Sequence, residues 1–176
     1  MEGGLGLKAA LEALLFVAGR PVKVEELRGI FPGVTEEELR QALRELSQEY
    51  QGRGLRIREV AGGFRMETAP EVAEPVRAFL KPRPRKLSRA ALETLAVVAY
   101  HQPVTRAEIE RLRGVDSSGA LKVLLEEKLI RIVGRKAVPG RPLLYGTTAK
   151  FLEVFGLRSL EDLPPLEEIR KLAEGA

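Results

Sequence analysis

Few side chains in this sequence could do chemistry, and their spacing does not bring them together. His101 is the only histidine among 176 residues, and there is no cysteine. Neither a usual zinc site nor a thiol nucleophile can be assembled from that inventory, and disulfides are excluded. His101 stands beside Gln102-Pro103 at the end of a helical pattern, where the helix dipole favours a ring that can carry positive charge. Asp116-Ser117-Ser118 sets hydroxyls beside a carboxylate. It stands just before another helical pattern, which is where short acceptors cap a helix. Glu126 and Glu127 are neighbours in sequence and point in different directions on a helix. Gly114 and Gly119 lack the Walker spacing that cradles a phosphate. No catalytic constellation, metal site or cofactor site is expected, and the chain is read as a non-enzyme. What remains is binding, to nucleic acid or to protein.

The elements that carry these residues are legible from periodicity. Leu92, Leu95, Ala96 and Ala99 form one apolar stripe at helical spacing, ended by Gln102-Pro103. Thr105-Arg-Ala-Glu108 is a capping box that opens a second helix bearing Ile109 and Leu112. Asp116-Ser117-Ser118 opens a third, with Leu121, Leu124 and Leu125 inward. Residues 129–133 and 143–147 are strand-like around Gly134, Pro139 and Gly140. Thr147 or Thr148 caps a closing helix that ends at Gly156. Three helices followed by a two-stranded ribbon is the order of a winged helix.

The first half repeats that plan. LEALLFVAGRPV from Leu11 aligns with LETLAVVAYHQPV from Leu92, and Leu27 and Ile30 match Ile109 and Leu112. Thr35-Glu-Glu-Glu38 is a second capping box, opening a helix with Leu39, Ala42, Leu43 and Leu46 that stops at Gly52 and Gly54. Residues 55–60 and 64–68 read as a hairpin around Gly62-Gly63. A helix follows from about Pro70, with Pro75 implying a kink or a later start. The expected fold class is mainly α with small β wings, α+β, as two tandem winged-helix domains. They span residues 1–80 and 87–157, joined by a basic, proline-rich linker at 81–86 and followed by a partly mobile tail at 158–176. In that tail Leu160, Leu163, Leu166 and Ile169 are expected to pack back locally.

The run RAALETLAVVAYHQPVTRAEIERLRGVDSSGAL, continued by KLIRIVGR and PGRPLLYGTT, resembles the segregation and condensation protein B family. The close match covers about seventy residues, and the first half agrees in layout. The resemblance implies a subunit of the bacterial condensin-like complex that supports chromosome condensation and segregation during cell division. It implies a homodimer formed through the first winged helix. It implies binding to the kleisin (segregation and condensation protein A), whose ends engage the structural-maintenance-of-chromosomes ATPase. The implied location is cytoplasmic and nucleoid-associated, with no catalysis. In keeping with that, the amino-terminal text lacks a basic region and cleavage motif and reads as a helix. No apolar run approaches the roughly 18 residues that span a bilayer, so no membrane contact is expected.

The alternative is a winged-helix DNA-binding transcriptional regulator. The net charge of +4 is uneven: residues 1–80 hold 11 cations and 13 anions, and residues 81–176 hold 18 and 12. Four of those cations sit in residues 81–86. In a DNA reader the third helix enters the major groove. Here that helix in the first half carries Glu36, Glu37, Glu38, Glu45 and Glu49 against Arg40 and Arg44. Its counterpart carries Glu126 and Glu127 against Lys122 and Lys128. Negative helices repel phosphates, so at most weak, non-specific DNA contact is expected, through Arg131, Arg135, Lys136, Arg141 and the linker.

Protein binding is the better reading. On the first helix Leu5, Ala9 and Phe16 form a second apolar set, turned away from Leu7, Leu11, Leu14, Leu15 and Ala18. They are the candidate dimer interface. Leu143, Leu144 and Tyr145 are consecutive in a strand, so both strand faces are apolar. Leu144, Tyr145, Phe151 and Phe155 are the candidate kleisin contacts, with some of the four needed for the core.

Overall fold

The computed structural model describes residues 6–81 and 87–166. The expectations for Leu5, for linker residues 82–86 and for tail residues 167–176, Ile169 included, lie outside the described residues. The chain divides into two compact units, with the division between Arg83 and Pro84. Each unit is a winged helix, and the fold is α+β.

The first unit runs α1 (Leu7–Ala18), α2 (Val24–Ile30), α3 (Glu36–Glu49), β1 (Leu55–Val60), β2 (Gly63–Thr68), a 3-10 turn (Pro70–Val72) and α4 (Ala73–Leu80). Leu11 and Leu15 of α1, Leu27 of α2, and Leu39, Leu43 and Leu46 of α3 meet in a core closed by Ile57 and Phe64 of the hairpin. Thr35 caps α3 through the Glu38 amide, and Glu38 returns to the Thr35 amide at 2.8 Å. Pro75 falls in the first turn of α4, where its missing N–H leaves no bond unmade, so the helix starts late, at Ala73.

The second unit runs α5 (Arg89–His101), β3 (Val104–Thr105), α6 (Arg106–Arg113), α7 (Ser118–Glu126), β4 (Ile130–Arg135), β5 (Leu143–Thr147), α8 (Ala149–Phe155) and a 3-10 turn (Leu160–Asp162). Its sheet order is β3-β5-β4, all antiparallel. Val104 pairs with Tyr145, as Val22 bridges Phe64 in the first unit. The repeat therefore holds down to which residue of the wing meets the segment after the first helix.

It does not hold at the level of the aligned letters. Leu11 is fully buried, whereas its partner in the alignment, Leu92, is 47% exposed. The core stripe of α5 is Ala91, Leu95, Val98 and Ala99 with Thr94, and both Leu92 and Ala96 face outward. The inserted residue before Pro103 shifts the helical phase. Ile30 and Leu112 are also exposed, each in the last turn of a short second helix whose inward residues are Val24 and Leu27 in α2 and Ile109 in α6. The cap of α7 comes from Asp116, which accepts from the Ser118 amide at 3.1 Å. Ser117 is buried and accepts from Arg113.

Two outcomes follow for stability. A Cβ at Gly63 would lie 2.7 Å from the Val22 carbonyl oxygen, so the β2 backbone can approach Val22 only without a side chain. Gly63→Ala is expected to cost about 1–3 kcal/mol. Gly33→Ala, at an open site, is expected to be near neutral by urea unfolding. Lys136 and the Thr105 cap hold the Glu108 carboxyl down at about 2, below its ordinary 4.5. A depressed carboxyl stabilises above its unfolded pKa, and that contribution is lost as pH falls from about 4.5 through 2. Glu108→Gln is therefore expected to lower the melting temperature at pH 7 and to shrink its drop on acidification.

Candidate partner-binding surfaces

The residues singled out for chemistry are capped, paired or solvated. His101 is exposed at the end of α5. Asp116 is engaged with Ser118 and Arg106. Among the described residues no group of three or more His, Asp or Glu side chains could hold a metal ion. Nor do the third helices present free cations. In α3, Arg40 pairs with Glu36 at 2.9 Å and Arg44 with Glu37 at 2.7 Å. In α7, Lys122 faces Glu126. No described helix is long and apolar enough to cross a membrane.

The unsatisfied surfaces are apolar. On α1, Phe16 and Val17 are 71% and 74% exposed, because Leu11 and Leu15 take the inward positions and Phe16 falls outside their arc. Phe16 borders a groove of about 310 Å³ floored by Ala9, Ala13, Leu55 and Met66. Ala9 is half-buried there, so the structure brings Ala9 and Phe16 to one surface. At the groove's side the Tyr50 hydroxyl donates to the Glu12 carboxylate, and that bond, with burial, pushes the tyrosine pKa up.

The second unit carries a larger groove, about 360 Å³ and almost wholly apolar, between α5, α8 and the chain beyond α8. Leu92, Ala96 and Tyr100 form one wall at i, i+4, i+8 spacing, and Leu163 and Pro164 the other. The Tyr100 hydroxyl donates to the Pro164 carbonyl at 2.5 Å and fixes that rim. Phe151 lies at the floor and Phe155 at the lip, their ring centroids 4.8 Å apart.

The four residues named from sequence thus separate. Phe155 is 47% exposed and open to a partner. Phe151 (3% exposed) and Tyr145 (8%) are core residues, Phe151 reaching the groove only from beneath. Leu144 is half-buried between Thr105 and Gly134 in the sheet and does not line the groove. The groove is lined besides by Leu92, Ala96, Tyr100, Leu163 and Pro164, which the sequence does not single out as contacts. The signal was present: α5 carries two apolar stripes a quarter-turn apart, and both were read as one.

Comparison with known proteins adds a family. The family model described as segregation and condensation complex subunit ScpB matches residues 9–166. Segregation and condensation protein B of Syntrophotalea carbinolica is 54% identical over 170 residues, covering 96% of this chain and 86% of that one. The protein of the same name from Moorella thermoacetica is 54% identical over 173 residues, covering 97% and 88%. Among solved structures, ScpB from Mycobacterium tuberculosis is 38% identical, covers 88% of this chain and 99% of that one, and has a TM-score of 0.41. A dimer of the ScpB N-terminal domain complexed with ScpA peptide is 31% identical, covers 41% and 91%, and has a TM-score of 0.39.

Alanine variants distinguish core from surface. Phe151→Ala is expected to cost about 3–5 kcal/mol by urea unfolding. Phe155→Ala, half-exposed with a single ring contact, is expected to cost about 1 kcal/mol or less.

Proposed function

The chain belongs to the segregation and condensation complex subunit ScpB family, and from that premise we propose that it is a non-catalytic subunit of the bacterial condensin-like complex, binding the kleisin as a homodimer. The match over residues 9–166 carries this reading, because it spans both winged helices. The location that goes with it is the cytoplasm, on the nucleoid. The role requires no cofactor, and it reaches the structural-maintenance-of-chromosomes ATPase only through the kleisin.

Two surfaces suit the two contacts. The first unit (1–80) dimerises through α1. Phe16 and Val17 there form an apolar strip beside a shallow groove, so a two-fold contact lets each copy seat its aromatic ring against the other. The second unit (87–157) takes a segment of the kleisin in the groove lipped by Phe155. An amphipathic helix laying its apolar face into such a groove is a common docking mode, and its energy concentrates in a few anchors. Phe155 is the direct contact, and Phe151 supports it from below. Tyr145 and Leu144 hold the sheet behind the groove and act through it.

A sequence-specific DNA regulator fits the structure poorly. The cations of α3 are committed to glutamates of the same helix, and a major-groove reader needs them free.

The test is co-purification of the full chain with the central region of the kleisin, with light scattering for mass. The expected result is a dimer that retains the kleisin. Phe16→Glu should give a folded monomer, since a buried unpaired charge is costly in an interface and costs nothing on an open surface. Phe155→Glu should stay dimeric and lose kleisin affinity tenfold or more, about 1.4 kcal/mol. A Phe16→Glu dimer would move the interface elsewhere. Full kleisin binding by folded Phe155→Glu would exclude the groove.

A further inference from the structure

The two wings are copies of one ribbon with different charge balance. In the first, Arg56, Arg58 and Arg65 all turn to one carboxylate, Glu67, at 2.6, 3.5 and 2.7 Å. Glu59 stands in the same hairpin. In the second, residues 128–150 hold six cations and no acidic residue. Every residue from 131 to 141 is exposed. One of these cations, Lys136 just beyond β4, meets an anion from outside the ribbon, Glu108 at 2.5 Å. At the other end of the span, Lys150 lies 3.9 Å from Glu127.

The tip is ordered. The Lys136 amide donates to the Pro142 carbonyl, and the Arg141 amide to the Val138 carbonyl, each at 2.9 Å. The Arg135 guanidinium donates to the Arg141 carbonyl at 3.1 Å, which sets two cations at neighbouring places on the tip. A fixed, exposed ribbon with four cations and no acidic residue of its own is built to meet a polyanion.

We propose that the second wing, residues 131–141, binds the phosphate backbone of duplex DNA without reading its sequence. Three observations select this ligand. The wing has no exposed aromatic side chain, so it offers no stacking platform for the bases of a single strand. The neighbouring third helix, α7, pairs Lys122 with Glu126 and brings no free donor to base edges, so contact stops at phosphates. A two-stranded ribbon is an element that fits a duplex groove edge-on. The groove proposed for the kleisin lies on α5 and α8, on different elements, so the two ligands are not alternatives, and this inference stands whether or not the kleisin reading does.

The experiment is fluorescence anisotropy of the full chain with a labelled duplex of about 30 base pairs, in two unrelated sequences, from about 50 to about 200 mM salt. The ligand-site variant carries Arg131→Ala, Arg135→Ala, Lys136→Ala and Arg141→Ala. A charge-matched control carries Arg28→Ala, Arg44→Ala, Arg77→Ala and Lys122→Ala. Because Arg135 and Lys136 also bond within the fold, Arg131→Glu alone is measured as well, and circular dichroism melting reports folding for all.

The expected result is equal affinity for both sequences, falling about 100-fold across the salt range with a log–log slope of about −3 to −4, as for about four phosphates. The wing variant should bind at least tenfold more weakly at low salt with a slope nearer zero. Arg131→Glu should weaken binding several-fold, and the control should stay within about twofold of wild type. Failure of the wild type to bind at low salt overturns the proposal. So does equal binding by the folded wing variant, equal loss in the control, or displacement of the DNA by vesicles of anionic phospholipid at matched charge. Kleisin co-purification by the wing variant separates the two readings: its retention with loss of DNA binding confirms independent sites.

Discussion

In each unit the extended residue after the first helix is held against the returning strand of the wing, and the rest of the domain depends on that contact. Val22 and Phe64 exchange two backbone hydrogen bonds at 2.8 and 2.9 Å. The bridge fixes where α1 ends and α2 begins, and it brings the Phe64 side chain under the helices to close the core. It demands a glycine next door, because the Val22 carbonyl occupies the place of a Cβ at position 63. In the second unit the same pairing, Val104 with Tyr145, is reinforced by side chains. Gln102 accepts from the Thr147 amide at 2.8 Å and donates to the Thr147 hydroxyl, so a polar side chain extends the sheet by one rung where the chain turns at Pro103.

That framework leaves a fixed set of faces for function, and the two copies use them differently. The third helix, which would face DNA in a regulator, is acidic or self-neutralised in both. The arginines of the first wing gather on its own Glu67, whereas the second wing has no acidic residue of its own. The first helix of each unit is apolar on two sides, but the surplus face is a single aromatic strip in α1 and one wall of a groove in α5. The two units share one backbone solution and differ in charge and in apolar exposure.

Much of the fold was legible because its determinants are local. Capping boxes at Thr35 and Thr105, the Thr148 cap and the Gly156 stop each depend on residues within four positions of one another. Strand boundaries at 55–60 and 143–147 follow from glycines, prolines and β-branched runs. The errors occurred where helical phase had to be read across a break. Leu92 and Ala96 carry the same letters as a core stripe, and only the rotation of α5 against α7 decides that Leu95 and Ala99 go inside. Ile30 and Leu112 fail similarly, since a helix of seven or eight residues places only its first turns against the core, at Val24 and Leu27 or at Ile109, and leaves the last turn exposed.

The site was less legible than the fold, for a physical reason that Tyr145 and Phe155 illustrate. Both are aromatic, both sit near the end of an element, and nothing local distinguishes a ring that fills a core from one that waits for a partner. The difference comes from where β5 sits in its sheet. Its neighbours β3 and β4 cover both edges, so Tyr145 is enclosed. α8 instead lies at the margin, where the turn after Leu157 brings Leu163 and Pro164 near Phe155 but leaves an opening between them. A catalytic site announces itself by polar residues whose types are costly to bury. A docking surface is made of the same residues as the core and becomes visible only as the part of the apolar surface that the finished fold cannot cover.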